Sequence, residues 1–140
     1  MAVNCSWTHG ATAIVENPDW TVARNGYGSV IKPSCRESLE GWVHFSIPSP
    51  PSVQRGTDVV LNFKTGRGAH VNKVDVWCGE KTILSLGELY EKEEELARRR
   101  FSIPYEPGMN AALLVSVRVC FERFNSEAWI EFVAAGIEHQ

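Results

Sequence analysis

The chain has 140 residues, of which 44% are hydrophobic and 22% are charged. This composition suffices for one domain over residues 1–140 with its own core, and it excludes a globally disordered chain. The formal net charge of −3 gives no long-range attraction to nucleic acid. No stretch approaches the ~20 apolar residues that span a bilayer, and the N-terminus lacks a signal-peptide pattern. We therefore expect a cytoplasmic protein with neither a nucleic-acid nor a membrane partner.

Short runs separated by turn residues occupy the first third of the chain. Asn17-Pro18-Asp19 predicts a turn between "ATAIVE" and "WTVAR". Asn25-Gly26 is the pair preferred in two-residue type I′ turns, and it predicts a hairpin joining "WTVAR" to "YGSVIK". Such closely spaced turns are typical of sandwiches and barrels.

Three longer runs alternate between apolar and polar residues. Side chains repeat on one face of a strand every two residues, so this period predicts half-buried strands. The predicted inward residues are Val43, Phe45 and Ile47 in "GWVHFSI", Val59, Leu61 and Phe63 in "TDVVLNFKT", and Leu113, Val115, Val117, Val119 and Phe121 in "ALLVSVRVCFE". One apolar face per strand predicts two sheets packed through their inner faces.

One segment breaks the strand pattern. "SLGELYEKEEELARRR" begins with Ser85 and Glu88, which fit a helix capping box. Glu94 with Arg98 and Glu95 with Arg99 are i,i+4 pairs in the favourable orientation. We predict a short helix near residues 86–99, the alternative being a charged surface loop.

The predicted fold is all-β, a jelly-roll-like antiparallel sandwich of eight or nine strands. The segments "WTHGATAIVENP", "EGWVHFSIPSP", "VVLNFKTGRGAHVNKVDVWCGEKTI" and "WIEFVAAGIE" together resemble a family of small uncharacterised bacterial β-sandwich proteins. This resemblance covers most of the chain except the Glu/Arg-rich segment, which looks like an insertion. The resemblance implies a fold and no activity, so the catalytic residues stay unknown.

No cofactor or metal is expected from the spacing of potential ligands. The four cysteines lie far apart without a C-x-x-C pair, and the histidines lack the short spacings of metal sites. In a reducing compartment the cysteines are thiols, whereas export would allow two disulfides. The residues concerned are Cys5, Cys35, Cys78, Cys120, His9, His44 and His70.

Two Trp-x-His pairs, Trp7 with His9 and Trp42 with His44, are the candidate ligand-binding residues. In a strand, each pair places both rings on one face. If the two strands are neighbours, the four rings form one cluster that Trp20, Trp77 and Trp129 extend. The alternatives are that these tryptophans pack in the core or form a homodimer seam.

The predicted function is a binding or assembly module for a carbohydrate or another small organic ligand. Trp rings offer stacking platforms for sugar rings, while His and carboxylate groups supply hydrogen bonds. The alternative is a cofactor-independent isomerase, cyclase or lyase with a Trp-lined pocket. In that case His44 or His9 acts as acid or base, oriented by Glu16 or Asp75. An open face favours binding, and a closed apolar pocket favours the enzyme.

Overall fold

The computed structural model describes residues 4–48, 56–104 and 112–139. These residues form eleven strands and one 3-10 turn, and none of them belongs to a helix long and apolar enough to cross a membrane. The strands are β1 (Asn4–His9), β2 (Ile14–Val15), β3 (Trp20–Asn25), β4 (Gly28–Pro33), β5 (Glu40–Ile47), β6 (Thr57–Thr65), β7 (Ala69–Cys78), β8 (Lys81–Leu86), β9 (Ala97–Ser102), β10 (Leu113–Phe121) and β11 (Ile130–His139). The 3-10 turn, Gly10–Thr12, follows β1 directly.

All strand pairs are antiparallel, and they form two sheets. Sheet I has the order β3-β4-β11-β6-β9, with β1 paired to β11 beyond the end of β4. Sheet II has the order β2-β5-β10-β7-β8. The predicted β-sandwich is therefore confirmed, although the described residues hold more strands than the eight or nine predicted.

The core lies between the two sheets and is built from their inward-facing residues. Phe45 of sheet II meets Phe132 of sheet I at 5.1 Å between ring centroids, in an edge-to-face arrangement. The inward residues predicted on β5, β6 and β10 are all buried. The period-two pattern therefore identified the core faces of these three strands correctly.

The hairpin between β3 and β4 forms where it was predicted, but its turn is different. Asn25 pairs with Gly28, so the two turn residues are Gly26 and Tyr27. Neither has the positive φ that a type I′ turn requires. The Asn25 side chain instead accepts hydrogen bonds from the backbone N–H groups of Tyr27 and Gly28, at 3.0 and 2.9 Å. This side-chain cap stabilises an ordinary turn with Tyr27 exposed at its tip.

The helix predicted near residues 86–99 does not form. β8 ends at Leu86, Glu88 has a φ of 57° that no α-helix allows, and the arginines belong to β9. Glu91 exchanges backbone hydrogen bonds with Val71, and its neighbour Glu93 accepts one from Thr65. These hydrogen bonds satisfy backbone groups of β7 and β6. The helical alternative would gain only about 0.2–0.5 kcal/mol from each i,i+4 charge pair.

A charged cluster attaches this segment to the end of sheet II. Glu122 forms an ion pair with Lys92 at 3.0 Å, and it accepts hydrogen bonds from His70 at 3.1 Å and from Tyr90. Burial raises the pKa of Glu122, but the hydrogen bonds from Lys92, His70 and Tyr90 outweigh it and lower the pKa below its usual value. The segment is therefore fixed by specific contacts rather than by helical propensity.

Candidate functional site

The two Trp-x-His pairs lie on different sheets. Trp7 and His9 belong to β1 of sheet I, and Trp42 and His44 belong to β5 of sheet II. In β5 the alternate residues Val43 and Phe45 are buried, so Trp42 and His44 project outward. Trp7 pairs with Gly136 of β11, whose chain neighbours Ala135 and Ile137 both face the core. Gly136 therefore faces outward, and its partner Trp7 projects outward on the same side of the sheet. The two pairs face away from each other, and the prediction of one shared cluster is wrong.

A row of polar side chains crosses the outward face of sheet II. The strand register places His44 of β5 opposite Ser116 of β10, Ser116 opposite Asp75 of β7, and Asp75 opposite Ser85 of β8. Directly opposed side chains in an antiparallel sheet are close enough to interact. The register thus turns four residues that are distant in sequence into one continuous polar row.

His44 is held by hydrogen bonds on both sides of its ring. Its Nε2 lies 2.6 Å from Oε2 of Glu16, and its Nδ1 lies 2.7 Å from Oγ of Ser116. A carboxylate only accepts, so Nε2–H donates to Glu16, and in a neutral ring Nδ1 accepts from the Ser116 hydroxyl. Ser116 is buried but Glu16 is exposed. The Glu16 side of the ring is therefore the side where a ligand hydroxyl can compete.

Asp75 is the buried carboxylate of the row. Its Oδ1 accepts a hydrogen bond from Ser85 Oγ at 2.8 Å, and its Oδ2 lies 4.0 Å from Nζ of Lys73. One hydrogen bond and a long ion pair leave much of its acceptor capacity unused, because an ionised carboxylate offers about four lone-pair sites. Asp75 can therefore accept further hydrogen bonds from a ligand.

Two half-buried tryptophans flank this row, one on each side. Trp42 is opposite Arg118 and Trp77 is opposite Leu114, one register row to either side of Ser116. The Trp42 ring is parallel to the His44 ring at 6.5 Å, with Lys73 Nζ 5.7 Å from its centroid. The two tryptophans border a depression of about 260 Å³ that opens to solvent. Its lining residues are Glu16, Trp42, His44, Asp75, Trp77 and Ser116. We call this surface the Trp42 face.

A second depression continues on the far side of Trp42. Its volume is about 470 Å³, and it shares Glu16 and Trp42 with the first. Glu40 and Arg118 form an ion pair of 2.8 Å along its wall. Trp42 is therefore a partition between two adjoining hollows, both of which open to solvent.

A protein-family model described as a family of unknown function (DUF6623) matches residues 1–139. The chain belongs to this family. No curated protein matches the sequence.

Solved structures similar to this DUF6623 member share its fold at low sequence identity. A family 29 carbohydrate-binding module from Piromyces equi has a TM-score of 0.59 and 10% identity, covering 100% of this chain and 93% of its own. The xylan-binding module CBM15 has a TM-score of 0.54 and 9% identity, covering 99% and 96%. A cyclase from Fischerella sp. TAU, in complex with 4-(1H-indol-3-yl)butan-2-one, has a TM-score of 0.54 and 10% identity, covering 94% and 87%. These similarities show the β-sandwich fold alone.

The remaining tryptophans have different positions. Trp20 is a core residue, packed edge-to-face on Phe121 at 4.8 Å, with its Nε1–H donating to the Ser38 carbonyl. Trp129 lies near Lys64, away from the Trp42 face. Of the three tryptophans expected to extend a shared cluster, Trp77 is the one that lines the Trp42 face.

Sequence reasoning missed the position of Ser116 between His44 and Asp75 in the polar row. The signal was available in part, because Ser116 is a polar residue at the centre of the strongly apolar strand β10. Its two neighbours across the sheet depend on register, which the local pattern does not encode. Among the described residues, no three His, Cys, Asp or Glu side chains cluster as metal ligands do.

Proposed function

We propose that this DUF6623 member is a carbohydrate-binding module and that the Trp42 face is its binding surface. The observation that carries the proposal is the pair of indoles, Trp42 and Trp77, on either side of a row of hydrogen-bonding side chains. Aromatic faces stack on the C–H faces of sugar rings, and carboxylates accept hydrogen bonds from sugar hydroxyls. Glu16 and Asp75 supply those carboxylates.

The shape of the face favours a chain of sugars over a single one. The two hollows share Trp42 and both open to solvent, so we expect a linear oligosaccharide to span them with Trp42 near its middle. Neither hollow is the closed apolar pocket that would favour an enzyme acting on small molecules. The fold is shared with two carbohydrate-binding modules and also with a cyclase, so it is compatible with this function without deciding between the two candidates.

Replacement of either flanking tryptophan tests this proposal. Trp42→Ala and Trp77→Ala are each expected to weaken oligosaccharide binding by about 1–3 kcal/mol, roughly 5- to 150-fold, through loss of a stacking surface. Affinities are measured by calorimetric titration against linear hexasaccharides of xylose, glucose, mannose and galactose. Circular dichroism verifies that each variant is folded.

Trp7→Ala is the matched control, because it removes the same side chain from the outward face of the other sheet. It is expected to leave oligosaccharide affinity unchanged. If Trp7→Ala weakens binding as much as Trp42→Ala, the Trp42 face is not the binding surface. If the wild-type protein binds none of the four hexasaccharides, the ligand class is wrong.

A cofactor-independent isomerase, cyclase or lyase is the second candidate function. The observation that favours it is the buried carboxylate of Asp75, set between two indoles and close to the imidazole of His44. A carboxylate or imidazole in such a site can move a proton in a rearrangement. Titration with 4-(1H-indol-3-yl)butan-2-one separates the two candidates. Tight binding of this ketone, lost in Trp42→Ala, together with no oligosaccharide binding, would favour the enzyme.

A cytoplasmic location, a single domain over residues 1–140 and a homodimer stay predictions. The proposed module requires no second copy, because every residue of the Trp42 face comes from one chain. Light scattering over a range of concentrations measures the oligomeric state directly.

A further inference from the structure

The outward face of sheet I carries a second aromatic depression, far from the Trp42 face. Val133 and Ala134 of β11, the strand that lies between β1 and β6, form part of its lining. Its volume is about 520 Å³, and most of the atoms exposed in it are apolar. The lining residues are Trp7, Thr8, His9, Tyr27, Asn62, Arg98, Val133 and Ala134.

Trp7 lies directly against the backbone of β11. A Cβ atom on Gly136 would come within 2.7 Å of Trp7 Cδ2 and 2.9 Å of Trp7 Cε3. The absence of a side chain at position 136 therefore lets the indole settle onto the sheet. The Trp7 ring is half-buried, which leaves part of it accessible from the depression.

His9 fixes the opposite wall, and both nitrogens of its ring are hydrogen-bonded within the protein. Its Nδ1 accepts a hydrogen bond from the N–H of Ala11 at 2.9 Å, so Nε2 is the nitrogen that donates, to the carbonyl of Gly26 at 3.0 Å. This bond ties β1 to the turn of the β3–β4 hairpin. Tyr27, 60% exposed at the tip of that turn, is thereby held at the rim of the depression.

Arg98 places an incompletely paired cation at the same depression. Its guanidinium lies 5.2 Å from the Trp7 ring centroid, and its nearest carboxylate contact is Glu138, at 3.7 Å. Glu138 is already paired with Arg100, at 2.6 Å. A guanidinium has five N–H donors, and its preferred partner is a carboxylate bound by two parallel hydrogen bonds. Arg98 therefore has donors left for an anionic ligand.

We propose that this depression binds a small carboxylic acid that carries a six-membered or fused ring with an apolar face. The ring packs against Trp7 and Tyr27, the carboxylate pairs with Arg98, and the amide of Asn62 supplies a further hydrogen bond. Aromatic acids and uronic acids share this chemistry. The inference is independent of the Trp42 face, because the two surfaces lie on different sheets and share no residue.

Two pairs of probes test the charge requirement and separate the two sources of the ligand. Indole-3-carboxylate is compared with indole-3-carboxamide, and glucuronate with glucose, by titration of the wild-type protein. In at least one pair the acid is expected to bind ten-fold or more tightly than its neutral counterpart. The pair that shows the difference identifies the source.

Arg98→Gln is expected to remove that preference, lowering the affinity for the acid ten-fold or more. Arg36→Gln, which removes one positive charge from another exposed position, controls for net charge and is expected to have no effect. Trp7→Ala should weaken the same binding, whereas Trp42→Ala should leave it intact.

Three results would overturn the inference. In the first, neither acid binds more tightly than its neutral counterpart. In the second, Arg98→Gln binds the acid as the wild type does. In the third, the wild-type protein is a dimer and Trp7→Ala makes it a monomer, which would identify the face as a seam between two copies of the chain.

Discussion

Gly10→Ala is expected to destabilise the fold by more than about 3 kcal/mol, because the new methyl group has no space. A Cβ at position 10 would lie 1.8 Å from the carbonyl oxygen of Phe132 and 2.5 Å from its carbonyl carbon. Both atoms are backbone of β11, which is paired on both sides and cannot retreat as a side chain could. Relief therefore requires the 3-10 turn to lift off the sheet.

Urea denaturation measures this effect, and Gly26→Ala is its matched control. A Cβ at position 26 would meet no heavy atom within 4 Å, and Gly26 does not have a positive φ. Its replacement is expected to change stability by no more than about 0.5 kcal/mol. Equal stabilities for the two variants would mean that the 3-10 turn does not pack on β11 as described.

Phe132→Ala is expected to cost about 3–5 kcal/mol of folding free energy. Phe132 is fully buried. The centroid of its ring lies 5.1 Å from that of Phe45 in the facing sheet and 6.2 Å from that of Phe63 in its own sheet. Removing the ring leaves a cavity at the centre of the sandwich, where rigid strands from both sheets prevent collapse.

The comparison is Phe124→Ala, which removes the same ring from a position that is 44% exposed. This variant is expected to lie within about 0.5 kcal/mol of the wild type, again by urea denaturation. A Phe132→Ala variant that loses less than about 1 kcal/mol would show that the two sheets do not share the core through this residue.

The parts of the fold that the sequence predicts are those with a local physical signature. Val59, Leu61 and Phe63 occupy alternate positions, and burying them on one face requires a strand, whichever strands lie beside it. The same reasoning correctly placed Trp42 and His44 on the outward face of β5. Strand identity and facing are properties of a few consecutive residues.

The Arg-rich segment shows where local reasoning fails. Residues 86–99 have the charge spacing of a helix. In the structure, however, Arg98 and Arg100 belong to strand β9, where they lie opposite Asn62 and Val60 of β6. Pairing with β6 satisfies backbone groups that a free edge would leave to water, and it brings Arg100 to Glu138. These partners are distant in the chain, so a local pattern does not reveal them.

The candidate site was half predictable for the same reason. The sequence identified Trp42 and His44 as ligand-binding candidates. The residues that surround them depend on which strands lie next to β5 in the sheet, and the sequence pattern does not show this. His44 contacts Ser116 across 72 positions of sequence, and Trp7 and Trp42 belong to different sheets. Two identical motifs therefore have separate surroundings, which only the topology reveals.

The most direct test of the Trp42 face is an NMR titration of the isotopically labelled protein with the tightest-binding hexasaccharide. We predict that the indole N–H signals of Trp42 and Trp77 shift, together with the backbone amides of β5, β7 and β10, while the indole signal of Trp7 stays in place. Shifts concentrated in β1, β6 and β11, with the Trp42 and Trp77 signals unchanged, would contradict carbohydrate binding at this face.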